Sequence, residues 1–298
     1  MLWQRIMTAL IMLPLALFAI FFLPLETFSK VVAVIVLIGF WEWTGFIGKV
    51  SFISRVAYVL VSAGLMWFVY NNSLPIDYWN GWIFPESLGE LFQLRDAAFI
   101  SLILSALWWV FAFILVIVFP KISASFINNF FIMAVIGWLL LVPTWVALTG
   151  LRSIGMALDF SRGSGLLLFA LCLVWAADTG AFFSGKMFGK HKLAPHVSPK
   201  KTWEGVFGGV IFATLISFVA VKILSIPEDK FVGLAILAAI IVSFSVIGDL
   251  TESIFKRLSG LKDSGKILPG HGGILDRIDG LTAALPLCLL GFAILGIN

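Results

Sequence analysis

Asp249, Glu252 and Lys256 are spaced i, i+3, i+7, which places all three on one face of a helix. Asp276 and Asp279, three apart, share a face in the same way. Between these groups runs Pro269-Gly270-His271-Gly272-Gly273, which cannot continue a helix. A second polar stretch, Trp175 to Glu204, holds Asp178, Lys186, Lys190, His191, Lys192 and His196, then Ser198-Pro199-Lys200-Lys201-Thr202. That last run has the small hydroxyls and lysines of a phosphate-binding turn. Carboxylates without a cysteine or histidine cluster suit a hard cation such as Mg2+. Lysine, arginine and exposed backbone amides suit phosphate oxygens. Together they describe phosphoryl or nucleotidyl transfer, in which positioning and charge neutralisation do most of the work.

Each feature also has a plainer explanation. Glu252 and Lys256 form an i, i+4 pair worth a few tenths of a kcal/mol. Gly180, Gly185 and Gly189 would let helices approach closely. The lysine-rich loop could set topology or attract anionic lipid. Asp178 lies in an apolar block, where an acid costs roughly 3 kcal/mol. It is therefore expected to face a wet cavity shared with both polar stretches, or a cationic partner. Glu42, between Trp41 and Trp43, reads as a structural partner or cavity lining. Glu204 reads as an acid at a helix N-terminus. For His271 alone, a structural role is as good a reading as a catalytic one.

The elements that must position these residues follow from hydropathy. The chain has 298 residues, 61% hydrophobic and 12% charged, against about 25% charged in soluble domains. A crossing helix needs about 20 apolar residues. Nine stretches qualify, at roughly 6–24, 29–48, 55–71, 97–119, 129–150, 165–186, 204–225, 231–250 and 279–297. The first has a basic flank at Arg5 but no small-residue cleavage site, so it counts as a span kinked at Pro14. The expected fold is all-α, a polytopic membrane helix bundle of about nine spans. Residues 1–160 would form the first five spans. Residues 161–298 would form the catalytic region with its polar loops.

With nine spans, both polar stretches fall on the same membrane face as the N-terminus. Fourteen lysines and arginines lie on that face against six on the other, which makes it cytoplasmic and puts Asn298 across the membrane. Tyr78, Trp79, Trp82 and Phe84 read as an interfacial aromatic belt. The net charge of +4 is ordinary for a bundle with basic loops, and nucleic-acid binding is not indicated. Cys172 and Cys288 sit in apolar blocks and offer neither a disulfide nor a metal site.

Several longer runs resemble a known family. They are Ser253-Ile-Phe-Lys256-Arg257, Lys262-Asp263-Ser-Gly, and Pro269-Gly-His271-Gly-Gly-Ile-Leu-Asp276-Arg277-Ile-Asp279. Upstream come Asp178-Thr-Gly-Ala, Phe188-Gly-Lys-His-Lys-Leu-Ala-Pro and Ser198-Pro-Lys-Lys-Thr-Trp-Glu-Gly. The pattern is similar to that of the phosphatidate cytidylyltransferases, the CDP-diacylglycerol synthases. It covers roughly the last 120 residues. The resemblance implies that CTP and phosphatidate give CDP-diacylglycerol and pyrophosphate. It also implies dependence on Mg2+, a homodimer, and residence in a bacterial inner membrane or its eukaryotic equivalent, with the site facing the cytoplasm. Family metal ligands map onto Asp249 and Asp276. Lys201, Lys256, Arg257, His271 and Arg277 would serve the transfer. Asp178, Ser198, Lys201, Lys262, Gly272 and Gly273 would bind substrate. Lys201 matches the family pattern, whereas glycine is frequent where Lys200 stands here. Two other readings are CTP-dependent chemistry on a prenyl lipid, and an ion-coupled transporter using Asp178 and Glu42. Transporters tend to show repeated halves, and no repeat is visible.

Overall fold

Lipid leaves a backbone no partner but itself, so apolar runs of this length become helices. The computed structural model describes residues 2–73, 96–121, 124–155 and 160–297. Nine α-helices occur among the described residues. They are α1 (Leu2–Phe22), α2 (Leu25–Trp43), α3 (Phe52–Asn72), α4 (Ala97–Val118), α5 (Phe130–Ser153), α6 (Phe160–Phe188), α7 (Trp203–Ile223), α8 (Phe231–Leu258) and α9 (Leu275–Leu295). Seven, α3 to α9, are long and apolar enough to cross a membrane. In α1 the apolar part is the shorter Ile6–Phe22, and α2 carries Glu26, Lys30 and Glu42. Large apolar side chains such as Phe18, Leu60, Phe111, Phe131 and Phe218 point outward, as lipid-facing positions require. The chain is thus an integral membrane helix bundle. Tyr78, Trp79, Trp82 and Phe84 lie outside the described residues.

Contacts between connections show how the helices alternate. At one end, Ser259 Oγ donates to the Phe46 carbonyl and Thr8 Oγ1 to the Pro269 carbonyl. At the other, Arg152 Nε and Ser164 Oγ both donate to the Ile20 carbonyl. Arg162 donates there to Leu224, and Lys230 to Gly296. Connections after α2 and α8 therefore meet near the start of α1, and those after α1, α5 and α7 lie opposite. This is the alternation that nine crossings demand.

The expected end of the eighth stretch at residue 250 and the expected start of the ninth at 279 both fall short of the helices. In the structure α8 runs on to Leu258, and α9 already begins at Leu275. Hydropathy fades there because the extra turns are polar on one face. They stay helical because their charges are paired inside the bundle.

Small residues set the approach of α6 to α7. A Cβ at Gly180 would lie 2.6 Å from the Gly208 carbonyl oxygen, and one at Gly209 would lie 2.9 Å from that of Ala177. Only glycine allows backbones so near. Gly185 and Gly189 instead abut Thr202. The α6–α7 connection is a two-stranded antiparallel hairpin, β1 (Lys192–Ala194) and β2 (Ser198–Thr202), with Lys192 opposite Thr202 and Ala194 opposite Ser198.

Candidate active site

Thr202 ends β2 and caps α7, its hydroxyl accepting from Gly205 N at 3.2 Å. Glu204 in the first turn of α7 meets His191 Nδ1 at 2.7 Å and also accepts from the His191 amide. The acid expected at a helix N-terminus thus fastens the hairpin to α7. Held this way, Lys201 reaches α8, where its Nζ lies 2.5 Å from Asp249 Oδ2. Ser253, one turn on, donates to Asp249 Oδ1 at 3.3 Å.

A second pair lies deeper. Lys256 Nζ sits 3.2 Å from Glu252 Oε1 and 2.8 Å from Asp276 Oδ1. The three side chains are only 13%, 8% and 7% exposed, so the ammonium locks α8 to α9 away from solvent. The α8–α9 connection folds around the other oxygen of the aspartate. Asp276 Oδ2 accepts from Ser264 N at 2.9 Å, Ser264 Oγ at 2.9 Å and Gly273 N at 2.8 Å. Gly272 has φ +83, and a Cβ there would lie 2.6 Å from that same oxygen. Glycine is required on both counts.

The two pairs form one electrostatic group. Asp279 is within reach of the charges of Asp249, Lys256 and Lys201. Glu252 interacts with Asp279 and Asp276. Asp178 interacts with Lys201 and Asp249. Five carboxylates (Asp178, Asp249, Glu252, Asp276, Asp279) therefore surround two ammonium groups (Lys201, Lys256), three acids in excess. Asp178 is exposed on α6, at the open margin of this group rather than inside an enclosed cavity.

Other sequence candidates stand apart from this group. Arg257 follows Lys256 by one residue and so points about 100° away around the helix. Arg257 and Lys262 are exposed and make no ion pair among the described residues. Arg277 is exposed too, its Nε donating to the His271 carbonyl at 3.2 Å. His271 is half-buried, with Nδ1 lacking a hydrogen-bond partner. Ser198 is half-buried in β2. The structure thus brings together Lys201, Asp249, Lys256, Asp276, Gly273 and, through its charge, Asp178. Ser264 is not among the sequence candidates, although it sits inside the quoted Lys262-Asp263-Ser-Gly run. Its serine type and the neighbouring acid were the available signal.

An apolar groove of about 630 Å³, lined among others by Phe113, Val116, Leu193, Val197, Val206 and Leu250, runs along the hairpin and α8, the two elements that carry Lys201 and Asp249. An apolar slot on elements that carry charged groups can accommodate a molecule with a lipid tail and an anionic head.

Comparison with known proteins extends beyond the motif-bearing residues. A family model described as the cytidylyltransferase family matches residues 3–295. The chain is similar to a phosphatidate cytidylyltransferase of Pseudomonas aeruginosa, 41% identical over 286 residues, covering 96% of this chain and 95% of that one. A phosphatidate cytidylyltransferase of Haemophilus influenzae is 38% identical over 290 residues, covering 96% of each. One from Staphylococcus epidermidis is 48% identical over 128 residues, covering 43% of this chain and 48% of that one.

Proposed function

The chain belongs to the cytidylyltransferase family, and from that premise we propose that it makes CDP-diacylglycerol from CTP and phosphatidate. A phosphate oxygen of phosphatidate bonds to the α-phosphorus of CTP. The bond from that phosphorus to the bridging oxygen of the β-phosphate breaks, and pyrophosphate leaves. The observation that carries the reading is the pair of fixed lysines, Lys201 on Asp249 and Lys256 on Asp276, with an apolar groove along the hairpin and α8. A phosphate monoester is already largely ionised near neutral pH, so no strong general base is needed. The main obstacle is repulsion between two polyanions. Lys201, less buried than Lys256, is placed to receive phosphate oxygens. Lys256 holds Asp276 in register. The groove takes acyl chain while the head stays among the charges.

Mg2+ belongs to this proposal. Three surplus acids favour a bound cation, and an oxygen donor set suits a hard one. Among the described residues no three acidic, histidine or cysteine side chains form a ready ligand set. Mg2+ tolerates this, since it keeps waters and takes substrate phosphate oxygens. Asp249 and Asp276 would hold it. Each has one oxygen carrying a single contact among the described residues, Asp249 Oδ1 with Ser253 and Asp276 Oδ1 with Lys256, and a carboxylate oxygen offers about two lone pairs. When bound, the ion supplies neutralisation of phosphate charge.

The test is pyrophosphate release from CTP by the purified protein in detergent. Release should require phosphatidate. Release with a prenyl phosphate instead, or none with either, would sink the reading.

The enzyme is further proposed to be a homodimer in a bacterial inner membrane, its site facing the cytoplasm. The lysine and arginine asymmetry supports the orientation. A cysteine introduced at Asp263 should react with an impermeant thiol reagent only in inverted vesicles. Labelling in intact cells would reverse the assignment.

A further inference from the structure

Glu42 lies on α2, far in sequence from the polar stretches, and is 4% exposed. Its Oε2 accepts from Leu275 N at 2.9 Å. Leu275 opens α9, whose own N-cap residue, Ile274, makes no side-chain cap hydrogen bond. A carboxylate from another helix thus supplies the acceptor and the negative charge that a helix N-terminus favours. Glu42 also sits between the two limbs of the α8–α9 connection. A Cβ at Gly273 would fall 2.6 Å from both Glu42 oxygens, and one at Gly265 would collide with the same carboxylate. Ser264 Oγ, 2.9 Å from Asp276 Oδ2, is 3.5 Å from Glu42 Oε2. No cation pairs with Glu42 among the described residues. Its side-chain hydrogen bonds, both at Oε2, go to Ser264 in the connection and to Leu275 at the start of α9, while Oε1 is buried without a hydrogen-bond partner among the described residues.

Two short routes therefore run from Glu42 to Asp276. One passes through the Leu275 amide, one residue away. The other passes through Ser264, whose amide and hydroxyl both bind the aspartate. We propose that Glu42 is a positioning residue that fixes Asp276 by holding the connection 259–274 and the first turn of α9 in one geometry. The proposal rests on the reading of Asp276 as part of the transfer site.

Reach and charge make opposite demands on substitutions. Gln keeps the length and an acceptor oxygen but loses the charge. Asp keeps the charge but withdraws it by one methylene. Positioning by hydrogen bond predicts that E42Q outperforms E42D, and a purely electrostatic role predicts the reverse. Full-length variants in detergent should be compared for kcat, for KM for CTP, and for the Mg2+ concentration giving half activity. Amide hydrogen exchange of residues 259–276 should be followed in the same samples. E42D and E42A should lose about 10- to 100-fold in kcat or Mg2+ affinity, the usual cost of losing a group that orients a ligand. KM for CTP should change less. Exchange at Ser264 and Gly273 should quicken in both variants, and E42Q should stay within a few-fold of wild type on every readout. If E42A does not accumulate, the order of E42Q and E42D decides. E42D matching or exceeding E42Q, or unchanged exchange in E42D, would overturn the proposal. Faster exchange in a protein whose wild type shows no transfer would leave Glu42 as the anchor and remove the assigned reaction instead.

Discussion

Asp276→Asn should lower CDP-diacylglycerol formation by at least about 10²- to 10³-fold, the scale of removing one charge-stabilising group from a transfer site. The aspartate has two tasks that a neutral amide cannot perform together. Its Oδ2 takes three donors from the connection and its Oδ1 takes Lys256. An asparagine must turn its NH2 toward one set or the other, so donor meets donor. Asp249→Asn should cost a similar factor with less effect on folding. Asp249 is 37% exposed and its contacts are few. The double variant should be little worse than the poorer single, because groups acting as a unit are not additive. CDP-diacylglycerol formation across a Mg2+ titration checks this for the singles and the double. Near-wild-type turnover at low Mg2+ in either single would remove that residue from the proposed ion site.

Lys256→Met should be the most damaging change to folding. It leaves Glu252 and Asp276, 8% and 7% exposed, facing each other without a cation. Breaking one side of a buried pair typically costs about 3–5 kcal/mol. Lys201→Met should cost less than about 1 kcal/mol of stability, because the Lys201–Asp249 pair is partly open to solvent. Its loss should appear in turnover. The two lysines would then separate cleanly, one in unfolding midpoint and activity, the other in activity alone. Adding Glu252→Gln to Lys256→Met should restore part of the stability, since it removes one orphaned charge, but none of the turnover. Denaturant titration in detergent alongside the activity assay reads both. Equal stability loss in the two lysine variants would contradict the burial argument.

Much of this arrangement is legible in the sequence. Apolar runs of about 20 residues locate the helices, because lipid leaves the backbone little choice, but they miss the polar last two turns of α8, which runs to Leu258. The i, i+3, i+7 spacing placed Asp249, Glu252 and Lys256 on one face, and the Glu252–Lys256 pair is present at 3.2 Å. The partner that matters more for Lys256, Asp276, lies across a connection of irregular backbone. Helical periodicity says nothing about such a fold-back. For the same reason the direction of the arginines and lysines is not legible in the sequence. Arg257, Lys262 and Arg277 share the composition of a phosphate site, yet composition carries no direction, and all three are exposed. Glu42 is the opposite case. It reads as a structural partner or cavity lining with no partner named, because its partners, the Leu275 amide and the Ser264 hydroxyl, lie more than 200 positions away. No residue type in α2 advertises them.

The hydrogen bond from Leu275 to Glu42 spans 233 positions, and this has a consequence for biosynthesis. A ribosome adding about 5–20 residues per second needs roughly 10–50 s to make the partner after the acid has emerged. During that interval α2 is in or near the bilayer with a carboxylate that nothing yet caps. An acid in the middle of a span would be hard to insert in that state. Glu42 is the next-to-last residue of α2, where interfacial water can solvate it until α9 arrives. α9 thus draws an acid of α2 out of water, and the site closes only once α9 has been made.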